Sequence, residues 1–189
     1  MEIGVWGDSI TYGECDSQAL GWVGRLRKSL LMDRDASVYN FGVCGDTTED
    51  LLKRFKVEAD SIQPDKIVVA IGINDTKYPA GETTNKVPFE KFKQNMRKLV
   101  AEARNYTDKI YVVGATKVDD GFARMSGTRF VNADIQTYNS FLQELDSSEK
   151  LPYIDVFDTL DPTTDLEDGL HPNAQGYEKL FAVIGAELN

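Results

Sequence analysis

The chain has 189 residues, 41% of them hydrophobic, which suits a folded domain of ordinary size and is too apolar for a disordered one. Its 31 acidic and 21 basic residues leave a formal net charge of −10, which argues against nucleic acid or anionic lipid as a partner, since both are gripped with Lys and Arg. No apolar run approaches the ~18 residues that span a bilayer; Cys15 and Cys44 are too few for a disulfide framework or a Cys-rich zinc site, and the one histidine, His171, excludes a metal site built on two or three.

The chain opens on "MEIGVWGDS", which has neither a basic n-region nor a 7–15-residue apolar core. It reads as a strand, Glu2–Trp6, and the expected location is the cytosol unless a leader has been removed. A helical stripe follows in Leu20, Val23, Leu26 and Leu30, then a strand over Ser37–Phe41 and a helix over Thr47–Asp60. "KIVVAI", Lys66–Ile71, is continuously apolar after its lysine, as expected of a strand covered on both faces. After a long connection, Asn74–Pro88, the stripe Phe89, Phe92, Met96, Leu99 and Ala103 marks the third helix. Its lysines and Arg97 read as a solvated face. The fourth strand is Lys109–Gly114; a second long connection, Thr116–Asn132, leads to a helix over Ala133–Ser148. A fifth strand, Tyr153–Phe157, and a last helix striped by Ala174, Tyr177, Phe181, Ile184 and Leu188 complete the chain. Connections longer than ~12–15 residues are often functional, so the two long ones are candidate pocket walls.

Strict alternation of strand and helix implies a parallel sheet with right-handed crossovers. Five strands predict an α/β, three-layer, doubly wound fold with flavodoxin-like strand order 2-1-3-4-5, in one domain over residues 1–189. In such a sheet ligands bind beyond the carboxyl ends of the strands, near the switch point. The segments that fall there are Gly7-Asp8-Ser9, Asn40–Thr48, Gly72–Asp75 and Asp165–Asn173.

These segments hold the parts that ester hydrolysis needs. A serine hydroxyl is a weak nucleophile until a base takes its proton. Imidazole suits that task, and a carboxylate fixes its tautomer. Ser9 is the candidate nucleophile, His171 the base and Asp168, three residues earlier, the orienting acid, with Asp165 and Glu167 as competitors for that role. The N–H of Ser9, the N–H of Gly45 and the side-chain amide of Asn74 are candidate oxyanion donors. Taken singly, each has a plainer reading: Ser9 as a helix cap, Asn74 as a turn residue, Gly45 as a tight turn. Pro172 is expected in the first turn of the last helix, where it would stiffen the junction at His171. Asp8, Tyr12, Tyr78 and Phe122 are candidate substrate-binding residues, Asp8 with a second reading as a support for its own loop; Asp46 and Asp75 read as loop supports. No metal or cofactor is called for.

Together the blocks "GDSITYG" (Ser9), "GVCGDTT" (Gly45), "GIND" (Asn74) and "DGLHPN" (Asp168, His171) resemble, in order, those of the SGNH hydrolase superfamily, also called GDSL esterases or lipases. The resemblance spans residues 7 to 173, with Cys44 standing where relatives often carry serine. It implies an α/β/α hydrolase fold and metal-free hydrolysis of acyl esters through a Ser–His–Asp triad and an acyl-enzyme. The short chain suggests an open cleft and short acyl groups such as acetyl, on a small-molecule ester. Carbohydrate O-acetylesterase, lysophospholipase and thioesterase are alternatives in the same family. From other classes, a phosphohydrolase using Asp8, Asp75 and His171 with metal, and a non-catalytic flavodoxin-like signalling or binding module, are the rivals. The signalling module lacks the acidic pair after the first strand that it would need.

Overall fold

A computed structural model describes residues 1–30, 36–122 and 126–188, apart from the side chains of Asp146 and Ser148. Within the second long connection, residues 123–125 lie outside that description. The elements run β1 (Glu2–Gly7), α1 (Ser9–Tyr12), α2 (Gly21–Ser29), β2 (Ser37–Gly42), α3 (Thr48–Ile62), β3 (Lys66–Ala70), α4 (Phe89–Ala103), β4 (Ile110–Val113), α5 (Asn132–Glu149), β5 (Tyr153–Ile154) and α6 (Ala174–Leu188). All strand pairs are parallel and the order is β2-β1-β3-β4-β5, as the alternation predicts.

The sheet is covered on both faces because its side chains alternate with a period of two. Trp6, Ile67, Val69, Ile110 and Val112 point to one side, where Leu51 and Phe55 of α3, Phe92 and Met96 of α4 and Phe141 of α5 meet them. Ile3, Val5, Val68, Val113 and Ile154 point to the other and pack on Trp22 and Leu26 of α2 and Leu180 and Ile184 of α6. Buried aromatic contacts lock the first layer: Trp6 stacks on Phe41 and lies against Phe55, and Phe92 lies against Tyr138 and Phe141.

Two of these elements depart from the sequence expectation. The chain turns one helical turn, α1, directly after β1. Asp8 caps it by accepting the Ile10 N–H at 3.0 Å, and Gly13, at φ +100°, ends it. A Cβ on Gly13 would lie 2.9 Å from the Gly21 Cα, so glycine is required both by the dihedral and by the close approach of α2. At the far edge, β5 is only two residues long. The Asp155 carboxylate accepts the Phe157 N–H, bending the chain out of the sheet, although Val156 stays buried.

Candidate active site

Ser9 is the first residue of α1, at the carboxyl end of β1, which lies between β2 and β3 in the sheet. The turn that carries it is tied to neighbouring strands. Thr11 Oγ1 donates to the Ala70 carbonyl and Asn40 Nδ2 to the Thr11 carbonyl. The Arg54 guanidinium donates to the Gly7 carbonyl while pairing with Asp46 and Glu58, both at 2.7 Å. Ser9 is nearly buried, and its Oγ lies 2.9 Å from Nε2 of His171.

The segment bearing His171 is built around two aspartates. Asp165, fully buried, accepts the Asp161 N–H and both contacts of the Lys179 ammonium, at 2.8 and 2.6 Å. Its backbone carbonyl accepts the Asn173 N–H, which fixes the start of α6. Asp165 is thereby occupied away from the imidazole, and Asp168 takes the other position. One Asp168 oxygen accepts the N–H groups of Leu170 and His171, at 3.1 and 2.8 Å, and the other meets His171 Nδ1 at 2.8 Å. This wrap around its own turn explains the spacing of three: the same carboxylate shapes the loop and aims the ring. Gly169, at φ +75°, supplies the backbone bend between them. Burial pushes the Asp168 carboxyl up, but the His171 amide and ring bring it net below the ordinary aspartate range. Pro172 precedes the helix instead of entering its first turn. It bridges to Leu166, and Asn173 takes the cap, its Oδ1 accepting the Gly176 N–H at 3.0 Å.

Gly45 sits in an exposed turn at φ +83°, with nothing within 4 Å of where a Cβ would be. The dihedral, not crowding, calls for glycine here, and the open space leaves its N–H approachable. Among the described residues neither that N–H nor the Ser9 N–H donates to a protein acceptor. Asn74 is nearly buried and its Nδ2 donates to the Asp46 carbonyl at 3.1 Å, which leaves a second N–H on the same nitrogen.

Ser9, Gly45, Asn74, Asp168 and His171 line one open groove of about 700 Å³. Phe122 lines it too. Tyr12 is exposed outside it, and Tyr78 does not line it, its hydroxyl donating to Asp134 at 2.6 Å. Asp8 is buried beneath Ser9, facing an internal cavity with room for about one water. Its second reading, as a loop support, describes its contacts. Asp75 likewise is buried, accepting the Thr48 N–H and hydroxyl. Burial pushes both Asp8 and Asp75 up to about 7. Asp46 is held by Arg54. Sequence reasoning missed Glu14, Cys44, Lys77, Ser126, Thr128 and Phe130 in the groove. The only signal for them was that four lie in the two long connections. Among the described residues, the cluster able to share a cation is Cys15, Asp168 and His171, with ligand atoms within 4.8 Å of one another. A cation there would compete with the aspartate–imidazole pair.

The chain matches the GDSL-like Lipase/Acylhydrolase family over residues 5–179, a span that contains every groove residue named above. It belongs to that family. It is 24% identical to the uncharacterized protein YpmR of Bacillus subtilis over 190 residues, covering 90% of this chain and 74% of that protein. It is 31% identical to a multidomain esterase of Ruminococcus flavefaciens over 121 residues, covering 62% of this chain and 14% of that protein. The crystal structure of a lipase/acylhydrolase from Enterococcus faecalis superposes with a TM-score of 0.81 at 29% identity, over 99% of this chain and 94% of that one. Axe2, an acetylxylan esterase from Geobacillus stearothermophilus, shares the fold with a TM-score of 0.79 at 21% identity, over 100% and 94% of the two chains. Solved variants of Axe2 described as catalytic mutants replace a serine, an aspartate and a histidine with alanine. This GDSL family member thus has the fold of a hydrolase.

Proposed function

We propose that the protein is a serine esterase acting on short-chain acyl esters, with Ser9 as nucleophile, His171 as general base and acid, and Asp168 as the residue that orients the imidazole. The observation that carries this reading is the unbroken chain from Ser9 Oγ to His171 Nε2 at 2.9 Å and from His171 Nδ1 to Asp168 at 2.8 Å. Membership of an acylhydrolase family supports the reaction class.

In the proposed reaction His171 Nε2 takes the Ser9 proton as Oγ attacks the ester carbonyl. Asp168 holds the Nδ1 proton and stabilises the imidazolium. The carbonyl oxygen, now anionic, is received by the Ser9 and Gly45 amides and the spare Asn74 N–H. His171 passes its proton to the departing alcohol, and an acyl-Ser9 remains. A water molecule, deprotonated by His171, attacks that ester; the acid leaves and Ser9 regains its proton. The open groove and its mixed lining favour a small acyl group attached to a polar alcohol.

A second reading narrows the alcohol to a carbohydrate. Phe122 is 43% exposed within the groove, and a Cβ on Gly169 would lie 2.7 Å from its Cβ, so the ring rests on backbone between Asp168 and Leu170. Such a ring offers an apolar face to a sugar. The acetylxylan esterase activity of Axe2 agrees with that choice.

The test is a series of esters from acetate to laurate with wild type and Ser9→Ala. Wild type is expected to favour the short end, and Ser9→Ala to lose at least 1000-fold in kcat. Equal turnover by the alanine variant refutes the assignment.

A further inference from the structure

The groove holds few charged side chains, and all but one of them are occupied. Asp168 is bound to His171, and Glu14 accepts the Cys44 thiol at 3.5 Å. Lys77 also lines the groove, is half-buried, and among the described residues makes no ion pair and no side-chain hydrogen bond. Its backbone is held on both sides. The Lys77 carbonyl accepts the Lys86 N–H at 2.7 Å, and the next residue, Tyr78, forms an antiparallel bridge with Arg129 at 2.9 and 3.2 Å. That bridge joins the two long connections into one wall.

Two further cations stand near Lys77 in this wall. Lys86 lies close enough to repel Lys77, and the Arg129 guanidinium rests 3.7 Å from the centre of the Tyr78 ring. Neither Lys86 nor Arg129 forms a salt bridge among the described residues. Burial, helped by Lys86, holds the Lys77 ammonium below the ordinary lysine range, and no carboxylate offsets it. A charge withdrawn from water without a counter-charge is costly, and a ligand that supplies one relieves the cost. A lysine that only rests its stem on the wall would gain nothing from such a ligand.

We infer that Lys77 forms an anion subsite, so that the preferred substrate is an acyl ester that also carries a negatively charged group such as a carboxylate. The inference rests on the esterase reading above and adds to it the charge of the substrate. The anion neutralises Lys77 while the ester carbonyl lies at Ser9, so binding energy gained away from the reacting bond positions the ester.

The test compares matched ester pairs with the wild type, Lys77→Met and Lys77→Arg. 4-Acetoxybenzoate against its methyl ester places the charge on the alcohol side; 4-nitrophenyl hemisuccinate against the butyrate places it on the acyl side. For each enzyme the ratio of kcat/KM, charged over neutral, is measured at low salt and again at 0.5 M NaCl. In at least one pair the ratio is expected to fall about tenfold in Lys77→Met, mostly through KM, to be largely restored in Lys77→Arg, and to shrink in high salt. Methionine keeps the stem, so a packing role alone would leave the ratios unmoved. Ratios within twofold of wild type in both pairs overturn the anion subsite, and hydrolysis of the neutral esters that still depends on Ser9 would show the esterase reading intact. Loss of that dependence would overturn the esterase reading instead.

Discussion

Asn74, which lines the groove with Ser9, and Asp8, which precedes Ser9 in the chain, do opposite things with their polar atoms. Asn74 uses one N–H to hold the Asp46 carbonyl and keeps the other for the groove. Asn74→Ala is therefore expected to lower kcat by about 100–1000-fold while costing only about 1 kcal/mol of stability; a steady-state assay beside a thermal melt separates the two, and a variant with unchanged kcat would remove Asn74 from the oxyanion site. Asp8 keeps nothing for the groove. Its buried carboxyl, raised from 3.8 to about 7, holds a proton in the folded chain that the unfolded chain gives up near pH 4. Between those values the folded state binds more protons, so this group makes stability fall as pH rises from about 4 to 7. Asp8→Asn still accepts the Ile10 N–H, and it should gain stability over wild type at pH 8 relative to pH 5, by at most about 3 kcal/mol. Urea midpoints at the two pH values measure this; a difference that does not change with pH contradicts it.

At the scale of elements, the site depends on how loops are anchored more than on where strands end. The spacing of Asp168 and His171 was legible because a carboxylate three residues upstream can bond both the backbone and the ring of the same turn. The choice of Asp168 over Asp165 rested on that spacing, and the structure shows what Asp165 does instead: it ties its loop to Lys179 of α6. Lys179→Met leaves the buried Asp165 carboxylate without its cation. Because Lys179 is 41% exposed, a loss of about 2 kcal/mol is expected, short of the figure for a fully buried pair. Activity should fall with it as the Asp168–His171 segment loosens. A variant as stable as wild type would show that Asn173 and the backbone bonds suffice. The single turn α1 was not legible, since "SITY" has no helical period of its own and exists only because Asp8 caps it and Gly13 meets Gly21. Nor was the wall formed by Tyr78 and Arg129, whose partners are about fifty residues apart and share no local pattern. Lys77 went unnoticed for the same reason.

Across the whole molecule, the strand order was readable because "KIVVAI" and its counterparts are apolar on both faces and can only lie inside a covered parallel sheet. That order brings the carboxyl ends of β1, β2 and β3 together, and so fixes where Ser9, Gly45 and Asn74 meet. The return of the chain to the same edge between β5 and α6 then carries His171 to a serine 162 residues away. Among the described residues no helix is long and apolar enough to cross a membrane, and Lys77, without an ion pair among those residues, stands beside the groove in a chain of net charge −10. The decisive property is the reactivity of one hydroxyl in that setting. Treating the native protein with a fluorophosphonate and reading intact mass and mapped peptides should give a single adduct on Ser9, with activity lost in step, and little labelling of Ser9→Ala or His171→Ala. Labelling of a different residue in step with inactivation, or equal labelling of the alanine variants, would contradict it.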